Sequence, residues 1–217
     1  TIAPAIRDAL EADTVEAIVF RVDSPGGSYV ASDAIWKAAQ AAREADKPFV
    51  VSMGNLAASG GYFVSAPANR ILASPGTLTG SIGVVTGKFV LADLWPKLSV
   101  NIEGVQAGPR ADYWSTTRPF NDAAWQHLQD GLDDSYGDFV GKVAAGRGMS
   151  RKAVREVAQG KVWSGADAEQ RGLVDELGGF QAAVQAAKEM AGIPEEKAVR
   201  QVLFPEPEDP FRRFLQQ

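Results

Sequence analysis

The sequence predicts an α/β protein whose sheet is mostly parallel and covered by helices. Three observations carry that expectation. Short apolar runs rich in β-branched residues alternate with helical stripes, two of these runs end in glycine-rich turns, and one run is apolar on both faces. Such alternation requires right-handed crossovers and hence parallel strands.

The first strand is expected over 14–23, where Ala17-Ile18-Val19-Phe20 runs into the turn Ser24-Pro25-Gly26-Gly27. A helix over 29–45 follows, with Val30, Ala34, Ala38, Ala41 and Ala45 as its stripe and Lys47-Pro48 as its stop. Residues 48–53, Pro-Phe-Val-Val-Ser-Met, form the strand that is apolar throughout, as in a parallel sheet buried on both faces. Gly54 to Gly61 then reads as a glycine-rich turn into a short helix ending near Ala66. Residues 70–73 form a further short strand, and a loop from Gly76 leads into another near Val85. A helix over 89–98 and an alternating strand over 99–106 come next. The longest helix is expected over 122–145, with Asn121 as N-cap and Trp125, Leu128, Leu132, Tyr136, Phe139 and Val143 as its stripe. Shorter helices over 150–159, 165–171 and 179–191 complete the set, and no internal repeat is present.

The domain is expected to span 1–193. Beyond it, 194–217 holds Pro194, Pro205, Pro207 and Pro210 among charged residues and reads as a tail, mobile or laid against a neighbour. The chain opens at Thr1 inside what looks like a helix, so it is read as an excised or processed piece.

Composition excludes several kinds of chemistry. With 27 acidic and 22 basic residues the net charge is −5, which offers no basic patch to nucleic acid. Absent cysteine removes disulfides and thiolate chemistry, and the single histidine, His127, cannot build a multi-histidine metal site. Neither a metal nor a cofactor is expected. No apolar run approaches the ~18–20 residues of a membrane span.

The two glycine-rich turns are where chemistry can sit. A turn from a parallel strand into a helix presents unpartnered N–H groups. Ser59, between Ala58 and Gly60, would hold its hydroxyl at a strand tip, with the Gly60 N–H and an N–H of Gly26 or Gly27 as donors to an oxyanion. Spacing alone equally permits two sharp turns that do nothing but start helices. A serine nucleophile needs a base. His127 lies off the apolar stripe, on a face with Asp130 and Asp134, so a Ser-His-Asp triad is not expected. A lysine held neutral by desolvation could serve instead. Of the lysines in the body only Lys88 has an apolar setting, and there an ordinary helix-start lysine fits as well.

Four blocks, in order, resemble the signal peptide peptidase A family: Arg21-Val22-Asp23-Ser24-Pro25-Gly26-Gly27-Ser28, Ser52 through Tyr62, Leu78-Thr79-Gly80-Ser81-Ile82-Gly83-Val84, and Val162-Trp163-Ser164-Gly165-Ala166-Asp167-Ala168 with Gly172-Leu173-Val174-Asp175 behind it. The similarity covers nearly all of 1–192. It implies a Clp-protease/crotonase-like fold of stacked ββα units, and serine–lysine peptidases that degrade cleaved signal peptides. By position Ser59 matches the nucleophile, with Gly60 and the Gly26-Gly27 turn as oxyanion donors. Leu56 and Tyr62 would meet an apolar peptide, although both also fit a plain core.

One position departs from the family. Short members carry the lysine in a Gly-x-x-Lys-Asp-like stretch, whereas this chain reads Ala107-Gly108-Pro109-Arg110-Ala111-Asp112. Ala111 stands where the lysine would be, and Arg110 stays protonated. The resemblance therefore implies the C-terminal half of a long two-domain member, with the lysine supplied by the N-terminal domain or another chain. It also implies a membrane-associated homo-oligomer working outside the bacterial cytoplasm, its anchor lying outside this chain. Two other readings stay open: an acyl-CoA enzyme using the paired N–H groups for an enolate, and a non-catalytic assembly half.

Overall fold

The computed structural model describes residues 1–45, 47–108 and 111–205. Its order is α1 (Ile2–Glu11), β1 (Ile18–Ser24), α2 (Tyr29–Glu44), β2 (Phe49–Ala58), α3 (Gly60–Ser65), β3 (Arg70–Ala73), β4 (Leu78–Gly80), a 3-10 turn (Pro96–Leu98), α4 (Asp122–Arg147), α5 (Arg151–Val157), β5 (Val162–Ser164), α6 (Gly165–Gln170), β6 (Glu176–Leu177) and α7 (Phe180–Met190).

Two compact units divide the chain. The first comprises Thr1–Gly83 and Phe139–Gln217, the second Val84–Asp138. The first holds the whole sheet. β2 is its centre: β1 runs parallel along one edge, from Ile18 beside Phe49 to Ser24 beside Ala57. The other edge is shared, with β3 parallel beside residues 50–52 and β4 parallel beside residues 56–58. β6 extends β3 in parallel, and β5 closes against β4 as the one antiparallel pair among the described strands. This mostly parallel sheet with helices around it is the expected α/β, Clp-protease/crotonase-like architecture.

β2 explains why it is central. Phe49, Val50, Val51 and Met53 are all buried, because a strand with neighbours on both edges and helices over it has no wet face. Val50 and Leu72 pack on Ala183, Ala186 and Ala187 of α7, whose small side chains let the helix lie close to the sheet. α2 packs on α1 and α3. Lys47, expected at the surface, donates to the carbonyls of Ala9, Leu10 and Ala12, satisfying the last turn of α1.

β2 also runs five residues further than the sequence suggests. Gly54 reads as a turn residue, yet it lies within the strand. A Cβ there would meet the Asp23 carboxyl carbon at 2.6 Å. β1 is irregular between Val22 and Ser24, and Asp23 Oδ1 accepts the Leu56 N–H at 3.1 Å in the gap this leaves. Glycine is needed for close approach, not for a turn.

In the second unit the expected helix over 89–98 forms only turns and the 3-10 segment, since Pro96 has no N–H to donate to a carbonyl one turn back. The expected strand over 99–106 has no ladder partner among the described residues and stays irregular. The long helix forms as α4, and Asn121 Oδ1 accepts the Ala124 N–H at 2.8 Å, as expected of its N-cap. Residues 194–205 carry no helix or strand, and Pro207 and Pro210 lie outside the described residues.

Candidate active site

The site is built where β1 and β2 end side by side. β2 stops at Ala58 and α3 begins at Gly60, so Ser59 must reverse the chain within one residue. It does so at φ 52°, ψ −117°. For a residue with a Cβ this is strained backbone, typically costing ~1–3 kcal/mol, and it persists only where neighbours enforce it. They do: the Ser59 N–H donates to the Gly80 carbonyl at 2.9 Å, and the Ser59 carbonyl accepts the Phe63 N–H at 2.8 Å.

The hydroxyl is the telling part. Among the described residues four helices begin behind a serine, and three of those serines cap with their side chains: Ser28 accepts from Ala31, Ser150 from Ala153 and Ser164 from Asp167. Ser59 makes no side-chain cap. At a position where serine ordinarily turns its oxygen back onto the helix, Ser59 is a half-buried residue at the strand tip whose hydroxyl has no partner among the described residues.

The second turn lies against the first. A Cβ on Gly26 would stand 2.6 Å from Gly60 N and 2.8 Å from Ser59 Cβ, and Gly26 sits at φ +104°. A Cβ on Gly60 would be 3.2 Å from Gly27 N. Only glycine allows the two backbones to meet this closely. The structure also separates the two candidate donors. The Gly26 N–H already donates to Ser24 Oγ at 3.2 Å. The Gly26 N–H is thus already engaged, and its missing side chain is what lets the turns touch. The Gly27 and Gly60 N–H groups have no acceptor among the described residues. A Cβ on Gly27, at φ +154°, would meet nothing within 4 Å, so open space adjoins it.

Tyr62 does not line this site. It is completely buried and its hydroxyl donates to the Leu173 carbonyl at 2.9 Å. Burial pushes its phenol well above the ordinary range. Standing three residues after Ser59 on a six-residue helix, it points into the core and ties α3 to the segment behind α6. Leu56 remains partly exposed on β2, beside Leu78 of β4, which is exposed. Beneath Tyr62, Arg147 is bound to the Asp175 carboxylate. Burial works against its charge, but the Asp175 hydrogen bond and the charge interactions with Tyr62 and Asp175 together outweigh it and its pKa is raised.

The lysine amines whose bonds are defined are occupied elsewhere. Lys142 Nζ is 2.5 Å from Asp33, where Lys37 also pairs, and Lys188 donates to the Glu195 carbonyl. Lys161 donates to the Glu156 carbonyl. Lys88, in the second unit, donates to the Tyr113 carbonyl at 2.9 Å and stands 4.2 Å from the centre of the Phe120 ring. His127 is exposed in that unit, edge-on to Tyr113. Ala111 lies in a turn there, while Pro109 and Arg110 lie outside the described residues. Among the described residues no group of three or more potential metal ligands is found.

Sequence reasoning missed Ser32. It is buried on α2, and its hydroxyl oxygen stands 2.7 Å from where a Gly60 Cβ would be. Its place in the first turn of a helix starting beside Gly27 was the only available signal.

Residues 41–194 match the profile of peptidase family S49. The chain is 46% identical to Protease 4 of Salmonella typhi over 88% of its own length and 31% of that protein's. It is 40% identical to the chloroplastic serine protease SPPA of Arabidopsis thaliana, over 93% of this chain and 30% of the relative. With a putative signal peptide peptidase SppA of Enterococcus faecium the identity is 34% over 82% of this chain and 52% of that one. The chain thus spans about a third of the length of the first two of these relatives. The chain belongs to peptidase family S49.

Proposed function

We propose that the chain carries the nucleophile of a serine endopeptidase that cleaves apolar peptides such as released signal peptides. The observation that supports it most is Ser59 itself: a strained serine at a strand tip whose hydroxyl, like the neighbouring N–H groups of Gly27 and Gly60, has no partner among the described residues. The proposed base is a lysine of another domain or another chain. Support comes from the occupied amines described above and from Ala111 at the expected lysine position.

The steps balance as follows. Ser59 Oγ attacks the peptide carbonyl carbon while its proton passes to the neutral lysine amine. The carbonyl electrons move onto oxygen, which the Gly27 and Gly60 N–H groups hold; each such donor contributes ~3–4 kcal/mol to the lowered barrier. The intermediate collapses, the C–N bond breaks, and the lysine's proton goes to the leaving amine. Water then attacks the acyl-enzyme, returning one proton to Ser59 through the lysine. Neutrality of that lysine at working pH requires desolvation, which burial against this site would provide. Leu56 contributes apolar surface for the substrate. The same reading has the complete protein assembling as a membrane-associated homo-oligomer. Among the described residues no helix is long and apolar enough to cross a membrane.

The test uses the complete protein and a fluorophosphonate. Labelling should fall on Ser59 by peptide mass mapping. Ser59→Ala should lose the label and at least about 10³-fold in apolar-peptide hydrolysis. A Ser59→Ala protein that hydrolyses at the parent rate overturns the reading.

A further inference from the structure

Ser32 has no place in the chemistry above, yet it stands where the two turns meet. It is 7% exposed, on the first turn of α2. Its hydroxyl donates to the Ser28 carbonyl at 3.0 Å, and the same carbonyl accepts the Ser32 N–H at 3.0 Å. A serine bonding back four residues is ordinary in a helix and contributes little to stability. What is unusual lies on the other side of the oxygen. A Cβ on Gly60 would fall 2.7 Å from Ser32 Oγ, 3.1 Å from Gly26 Cα and 3.2 Å from Gly27 N. The Ser32 oxygen therefore fills the space against Gly60 while anchored to Ser28, the residue that follows Gly27.

We propose that Ser32 is a positioning residue of the oxyanion hole. Its hydroxyl acts as a spacer of fixed thickness between the start of α2, which carries the Gly27 N–H, and the start of α3, which carries the Gly60 N–H. Two donors stabilise one oxygen only if their separation is held, and an error approaching 1 Å can remove most of the benefit. Alanine would leave a gap the size of one oxygen and free the Ser28 carbonyl from its second donor. The turns could then drift together or apart without any loss of fold. The inference rests on the Ser59 reading.

Asp33, the next residue, provides the control. It holds α2 through Lys142, whose amine also lies 5.0 Å from the Trp36 ring centre and 5.1 Å from that of Phe63. Removing it should loosen the packing of α2 generally and leave the donor spacing alone.

The experiment measures three quantities in the complete protein: the rate at which a fluorophosphonate labels Ser59, kcat and KM for an apolar peptide, and Tm. Ser32→Ala should slow labelling and lower kcat by about 10-fold, less than the loss of a donor itself, with KM changed by under about 2-fold. Ser32→Thr keeps the hydroxyl and should label within about 3-fold of the parent. Lys142→Met should lower Tm while labelling at the parent rate. Ser32→Ala labelling at the parent rate overturns the inference, as does equal slowing in Ser32→Ala and Lys142→Met, which would mean only that α2 had loosened. A parent protein that takes no label at Ser59 overturns the proposed function and the spacer role with it, so the two failures are told apart.

Discussion

The first unit and the second, Val84–Asp138, are both rich in apolar residues, but they use them differently. In the first, Phe49, Val50, Val51, Ile71 and Leu72 are fully buried because hydrogen-bonded strands fix where each side chain points. In the second, Leu128 alone of the described hydrophobic residues is buried, while Val85, Phe89, Val105, Trp114 and Trp125 are exposed. Its order comes from an aromatic cluster, Tyr113, Trp114, Phe120 and Trp125, with neighbouring ring centres 5.1–6.1 Å apart. Hydrophobicity alone does not make a core. A backbone frame whose polar groups pair with each other does, since only then can the side chains between be stripped of water without leaving N–H and C=O groups unsatisfied.

Truncating one side chain in each unit should show the largest difference. Ile71→Ala on β3 removes a side chain with no exposure and should destabilise the fold by about 2–5 kcal/mol. Phe89→Ser, at a residue 84% exposed, should change stability by less than about 0.5 kcal/mol in either direction. Denaturant unfolding of the two variants measures both. A cost for Phe89→Ser comparable with that of Ile71→Ala would mean that the second unit is covered in solution and that the contrast is one of isolation, not of construction.

The same division explains what was legible in the sequence. β1, β2, α2 and α3 are readable because an apolar period runs through them and the turn at Ser24–Gly27, the Lys47-Pro48 stop and the glycines near Ser59 separate them; Gly27 and Ser59 lie in the junctions and Gly60 opens α3. β5 and β6, of three and two residues, are too short to carry any period and exist only because β4 and β3 offer them an edge. The helix over 89–98 has apolar residues at suitable spacing but meets Pro96 before it can complete two turns. Tyr62 could be assigned to either side of α3 until the structure put its hydroxyl on Leu173. Which of the Gly26 and Gly27 N–H groups is already engaged depends on where Ser24 Oγ points, which no pattern of residue types encodes. What the sequence conveyed was which backbone has to bend; which atoms remain free after bending required coordinates.

Glycine substitutions sharpen the comparison at intermediate size. Gly26→Ala sets a methyl against Gly60 N and Ser59 Cβ on backbone at φ +104°, so overpacking and strain should together cost about 1–3 kcal/mol. Labelling of Ser59 should fall with it, because the turns must part to admit the methyl. Gly131→Ala, in α4 with nothing within 4 Å of the new Cβ, should instead stabilise by up to about 1 kcal/mol, as alanine does in an open helix. Thermal unfolding of both variants decides it. A Gly26→Ala protein as stable as its parent would show that the two turns are not in fixed contact.

The smallest effect expected is electrostatic, and its sign follows from the structure. The Asp33 carboxylate is held below its usual value of 3.8 by hydrogen bonds from Lys142 and then Lys37, against a smaller opposing effect of burial. A carboxyl group whose folded pKa is depressed contributes stability that is fully present above 3.8 and is lost as pH falls through the lower folded value. Lys142→Met should therefore flatten the acid limb of a Tm-against-pH curve while also lowering Tm near neutrality. The corresponding pair in the second unit, Arg118 with Asp112, has its guanidinium mostly in water, where such pairs contribute ~0–1 kcal/mol. Arg118→Met should shift Tm less than Lys142→Met does. Equal shifts would mean that the Lys142 amine, despite lying among the rings of Tyr29, Trp36 and Phe63, is as well solvated as a surface charge, and that this corner of the first unit is wetter than its packing implies.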